Sequence, residues 1–193
     1  MKALPAFILG IVFTIVVGAA VGFALVENGL VPANADGTPS APERWAANTS
    51  LKATLRRAAA AAPSPPPVTE ADLLAGVKLY AANCIVCHGT STRVTTNMAA
   101  GMYQKPPQFG RPHAFDEGDL PGGLAWEIAH GVRLTAMPAF GAKLSDAQIW
   151  QLTNLLKNLD TLPPPVATAW KALTQPPGLT TATPAPRPPP KAE

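Results

Sequence analysis

Cysteine is scarce in this sequence: 193 residues contain two, Cys84 and Cys87. They stand three positions apart with His88 following, which argues against a stapling disulfide framework and for a site that uses the sulfurs chemically. Charge is also thin, at 14% of residues, and fifteen Lys and Arg against twelve Asp and Glu leave a net +3 without a dense basic block. That is a poor electrostatic footprint for nucleic acid, which we set aside as a partner. Internal repeats and strand-like alternation are equally lacking. Proline, by contrast, is abundant at 23 residues, more than twice the usual share of about 5%, so a good part of the chain cannot be ordinary packed helix or sheet. The length suits one domain of roughly 100–200 residues with appendages.

From Ala3 to Val26, twenty-four residues pass without a charge, bracketed by Lys2 and Glu27. At about 1.5 Å per residue this run crosses a ~30 Å hydrocarbon layer with some tilt. A cleavable signal is the alternative, because Ala33-Asn34-Ala35 offers a small-x-small cleavage pattern, but signal apolar regions run about 7–15 residues and a retained anchor fits better. Lys2 precedes the span, so the positive-inside rule sets the N-terminus in the cytoplasm and the rest outside. Gly18 and Gly22 form a Gly-x-x-x-Gly step that lets another helix approach, although small residues are common in spans.

Residues 27–42 form a connector broken by Gly29, Pro32, Gly37, Pro39 and Pro42. Residues 43–62 then turn alanine-rich and basic, with Arg44, Lys52, Arg56 and Arg57 around the apolar Trp45, Leu51 and Leu55. A helix is expected there, as a basic arm on anionic headgroups or a partner subunit, or as a solvated spacer. Pro63 to Pro67 makes a stiff linker, so the chain divides into an anchor at 1–27, a connector at 28–68, a domain at 69–160 and a tail at 161–193.

Within the domain, Thr69 and Asp72 give a capping-box-like start to a helix running to Asn83, with Leu73, Leu74, Val77 and Tyr80 at helical spacing. A second helix is expected over Gly122–His130. A third begins at Ser145, paired with Gln148, and carries Ile149, Leu152, Leu155, Leu156 and Leu159 as an apolar stripe. The fold class is therefore all-α. Gly89–Leu120 shows no period, and so long a loop in a small domain needs something to hold it, such as a large buried cofactor. Residues 161–193 hold ten prolines and are expected as an extended tail.

Cys84-Ile85-Val86-Cys87-His88 is the pattern of covalent haem attachment: two thiols add to the vinyl groups and the adjacent imidazole lies under the iron. A zinc site would need four ligands and would have to recruit both His113 and His130. A dithiol redox centre usually sits at a helix N-terminus in a strand-rich domain, whereas this motif follows a helix. Haem c is the better reading, and it implies a compartment outside the bacterial cytoplasm. Candidates for a second axial ligand are Met98, Met102, Met137, His113 and His130. Met137 leads, because Ala136-Met137-Pro138 sets a thioether on a proline-stiffened turn between two helices; its plain alternative is core filler.

On these residues the sequence resembles class I c-type cytochromes, and is most similar to mono-haem domains of membrane-bound cytochromes such as the cytochrome c subunits of cbb3-type oxidases. Gly76 to Tyr80, Cys84 to Gly89, Lys105 to Phe109 and Leu124 to Phe140 carry the likeness, over about residues 69–160. The resemblance implies that Gly76 lets the first helix cross the last against Trp150, and that the Pro107 carbonyl accepts a proton from His88. It further implies that Phe109 and Trp126 pack near the porphyrin, with Trp126 or Arg111 serving a propionate. It departs from the many oxidase subunits with two haem motifs, since one exists here. The implied function is outer-sphere electron transfer with redox partners or subunits of a respiratory or photosynthetic membrane complex, on the periplasmic side of a bacterial inner membrane. A haem peroxidase, a gas sensor and a mainly structural subunit are the alternatives.

Overall fold

The computed structural model describes residues 3–92, 95–110 and 120–174, and divides into two units, Met1–Ala35 and Asp36–Glu193. In the first, Ala3–Glu27 form helix α1. Its apolar side chains point outward all round, and Leu4–Glu27 have a mean hydropathy of 2.6. A helix without a polar face satisfies its own backbone and is long and apolar enough to cross a membrane.

In the second unit every described element is helical. Helix α2, Ala41–Ala61, starts at a capping box in which the Ser40 hydroxyl accepts from Glu43 N–H and the Glu43 carboxylate accepts from Ser40 N–H. Helix α3, Glu70–Asn83, is capped by Thr69. The short α4, Ile85–His88, and α5, Asn97–Gly101, follow. Helix α6, Pro121–His130, opens on a proline whose missing N–H costs nothing in a first turn. Helix α7, Asp146–Lys157, opens on the expected Ser145–Gln148 capping box, and α8 is Pro164–Lys171.

The core lies where α3 crosses α7. At Gly76 an added Cβ would stand 2.5 Å from the Gln151 carbonyl oxygen and 3.0 Å from Leu155 Cβ, so only glycine permits this approach. The close contact is with Gln151 and Leu155, whereas the sequence reading had put it at Trp150. Ile149, Leu152, Leu155 and Leu156 are buried as the apolar stripe requires. Beside the crossing, the Gln151 side-chain amide donates to Asp72 at 3.0 Å.

Two expectations need correction. Part of the extended tail expected from residue 161 is α8, which buries Val166 completely and sets Trp170 edge-on to Tyr80 with ring centroids 4.7 Å apart. Residues 175–193 lie outside the described residues. Helix α2 is not a free solvated spacer, because it packs along α6. A Cβ on Gly122 would come within 2.5 Å of Ala62 Cβ, and one on Gly123 within 3.1 Å of the Leu55 carbonyl oxygen.

Candidate functional site

Helix α3 ends at Cys84, whose N–H bonds the Tyr80 carbonyl, and the chain immediately re-forms one turn as α4, with His88 N–H bonded to the Cys84 carbonyl at 2.9 Å. Gly89 closes that turn at φ 75°, a conformation that suits glycine. The buried Tyr80 hydroxyl donates to the Gly89 carbonyl at 2.7 Å, and Thr96 donates to the Val86 carbonyl at 2.6 Å. Both ends of the motif are therefore fastened by contacts within the protein itself.

Neither cysteine is in a disulfide, although the two stand three residues apart. Burial pushes Cys84 up to about 12, with the nearby Cys87 sulfur adding to the shift, and burial raises Cys87 as well. Dithiol redox centres depend on the opposite shift, a depressed thiol that supplies thiolate at neutral pH, so this environment disfavours that reading. Among the described residues no group of three or more His, Cys, Asp or Glu side chains could hold a metal ion. The zinc reading thus lacks its ligands there. His130 ends α6 with its ring 4.6 Å from Trp126, and His113 lies outside the described residues.

His88 Nδ1 stands 2.8 Å from the Pro107 carbonyl oxygen. A carbonyl can only accept, so Nδ1 carries the proton and Nε2 keeps a free lone pair. Phe109 stacks on the imidazole with centroids 4.6 Å apart and planes 6° apart. Burial lowers the His88 pKa, partly opposed by the bond to Pro107, which favours the neutral, ligating form. Gln108 stiffens the same strap, its amide donating to the Cys87 and Pro106 carbonyls at 2.9 and 3.1 Å.

Met137 sits on a turn tied back to α6. Val132 N–H bonds the Met137 carbonyl at 3.2 Å, Met137 N–H bonds the Thr135 hydroxyl at 3.1 Å, and Phe140 N–H reaches the Ile128 carbonyl at 3.2 Å. Gly131, at φ 66°, lets this turn fold over, since a Cβ there would meet the Met137 carbonyl oxygen at 2.6 Å. Cys84, Cys87, His88, Pro107, Phe109 and Met137 all line one cavity of about 390 Å³. Its walls are mostly apolar, built from Leu124, Ile128, Val132, Phe140, Leu152 and Leu156. Paired thiols, a correctly protonated imidazole and a thioether around an apolar cleft are the donor set and cradle that haem c requires.

The family described as cytochrome c oxidase, cbb3-type, subunit III matches residues 71–156. The chain carries a class I c-type cytochrome domain. Cytochrome c6 of a Synechococcus species is 32% identical over 83 residues, which cover 43% of this chain and 66% of that protein. No solved structure matches. Members of these families carry covalently attached haem c, as does this domain, with the Cys84–Cys87 pair in the attachment motif.

Placement of the remaining residues in the cytochrome domain follows helical geometry. On α6, Leu124, Glu127 and Ile128 line the cavity. Trp126 is two residues from Leu124, about 200° around the helix, and faces a separate cleft with Gly122, Ala125 and Ala129. That cleft, of about 590 Å³ between α2, α6 and α7, is the larger of the two but holds neither thiol nor the imidazole. Trp126 thus does not line the cavity that His88 and Met137 share, and Arg111 lies outside the described residues. Met102 lines the cavity beside Met137, whereas Met98 is 49% exposed and does not. Residues that the reading missed are Leu152 and Leu156, which it had assigned to the α7 stripe alone, and Asn48 and Leu51 of α2.

Proposed function

We propose that this chain is a membrane-anchored mono-haem cytochrome c that passes single electrons on the periplasmic side of a bacterial inner membrane, as a carrier or an electron-transfer subunit of a respiratory or photosynthetic complex. The observation that carries the reading is one cavity lined together by Cys84, Cys87, His88 and Met137. Haem bound there supplies one-electron iron chemistry. Cys84 and Cys87 tether it. His88, oriented by the Pro107 carbonyl and the Phe109 ring, would hold the iron through Nε2. Met137 would hold it through the thioether, and the hydrogen bonds at Val132 and Thr135 keep its turn in place. With His88 and Met137 both committed to the iron, small ligands would be kept away and outer-sphere transfer would remain. The apolar α1 and the preceding Lys2 support anchoring with the domain outside the cytoplasm.

The test is purification from membranes in mild detergent, with an optical spectrum and identification of co-purifying subunits on one sample. A haem that resists acid extraction and shows methionine ligation is expected. Met137→Ala should leave the haem attached, lower the reduction potential and admit cyanide or carbon monoxide. If the parent protein already binds these ligands readily, a peroxidase or sensor role replaces this reading.

A further inference from the structure

Helix α2 precedes the matched domain by sequence, yet three features make it part of the haem cleft. The first is its seam with α6. Leu51, Thr54, Leu55, Ala58, Ala59 and Ala62 recur at three- and four-residue spacing, and they are the partly covered positions in a segment whose Lys52, Arg56 and Arg57 stay exposed. Gly122 and Gly123 receive that face so closely that a side chain on Gly122 would strike Ala62. The second is a clasp at the other end, where the Tyr103 hydroxyl donates to Glu43 at 2.9 Å. Glu43 is already held by the Ser40 capping box, and Tyr103 lies between Met102 and Gln104, both of which line the cavity. The third is what lies between seam and clasp: Leu51 and Asn48 line the same cavity as His88 and Met137.

Resting on the cytochrome reading above, we propose that α2 is a wall of the haem cleft, with Leu51 as a positioning residue that sets haem polarity and solvent access and Asn48 at the rim. Burial and dielectric are levers on haem potential, because a low-polarity surround disfavours the more highly charged ferric form. Leu51 places an apolar side chain where water would otherwise reach the cleft. The seam and the clasp hold it there without any contribution from the attachment motif.

The experiment uses the full-length holoprotein in detergent, comparing Leu51→Asn, Leu51→Met and Leu55→Ala by redox potentiometry, by titration with imidazole as an exogenous ligand and by thermal unfolding. Leu55 sits on the same helix against Gly123 but does not line the cavity. It therefore reports loss of packing alone. Leu51→Asn is expected to lower the midpoint potential and tighten imidazole binding several-fold, Leu51→Met to stay near the parent, and Leu55→Ala to lower the unfolding temperature without moving the potential. A potential unchanged in Leu51→Asn, or moved equally by Leu55→Ala, overturns the assignment. The parent's own spectrum separates the two levels: absent covalent haem fails the cytochrome reading, whereas normal haem with an inert Leu51 fails only the wall.

Discussion

Asp72 shows at the scale of single residues how local bonds become a pH dependence. The Thr69 hydroxyl and the Gln151 amide both donate to its carboxylate and hold its pKa below the ordinary value. A carboxyl with a lowered folded pKa binds protons less readily folded than unfolded, so its stabilisation is complete above the usual carboxylate range and is lost as pH falls through the folded value. Stability of the parent should therefore drop below about pH 4, and Gln151→Leu should flatten that drop; denaturant unfolding of both across acid pH checks it, and parallel curves would refute it. The motif residues were legible because Cys-x-x-Cys-His binds chemistry to spacing. Trp126 was harder to place, because an aromatic close in sequence to Leu124 and Ile128 can lie on another face of the helix. Counting phase from Leu124 and Ile128 would have placed it.

Helices showed in the sequence wherever they had a cap and a stripe. Ser145 with Gln148 and Thr69 with Asp72 marked the starts of α7 and α3, and the apolar spacing marked their buried faces. Helix α8 escaped because Pro163, Pro164 and Pro165 read as extended chain and because eight residues leave room for only two buried anchors, Val166 and Trp170. Proline in a first turn is compatible with a helix, and Val166 and Trp170 are four apart, the spacing of one face. Since Trp170 is 6% exposed and packs edge-on to Tyr80, Trp170→Ala should cost roughly 3–5 kcal/mol. It should do so without altering the haem ligation spectrum. Chemical denaturation followed by circular dichroism measures the loss, and a change under about 1 kcal/mol would mean that α8 is dispensable.

At the scale of the whole molecule, the net charge of the cytochrome domain is too small to steer encounters strongly. Residues 69–160 hold seven Lys or Arg and eight Asp or Glu, so their net field is weak and association gains little from long-range attraction. Stopped-flow rates with anionic ferricyanide and with a cationic ruthenium hexaammine should both change only weakly from low to high ionic strength. Steep, opposite salt dependences for the two reagents would reveal a charged face that the sum conceals. This neutrality was legible in composition. The place of α2 was not, because its partners, Gly122 and Gly123, have no side chains to advertise a contact.

That glycine seam also decides where the protein can be shortened. The proline run at 63–67 looks like the natural cut for a water-soluble fragment, yet a chain beginning at Val68 would strip Leu55, Ala59 and Ala62 from α6 and uncover a flat, small-residue strip beside Ala125. Such a fragment should self-associate on size-exclusion chromatography, while one beginning at Asp36 should elute as a single monomeric peak.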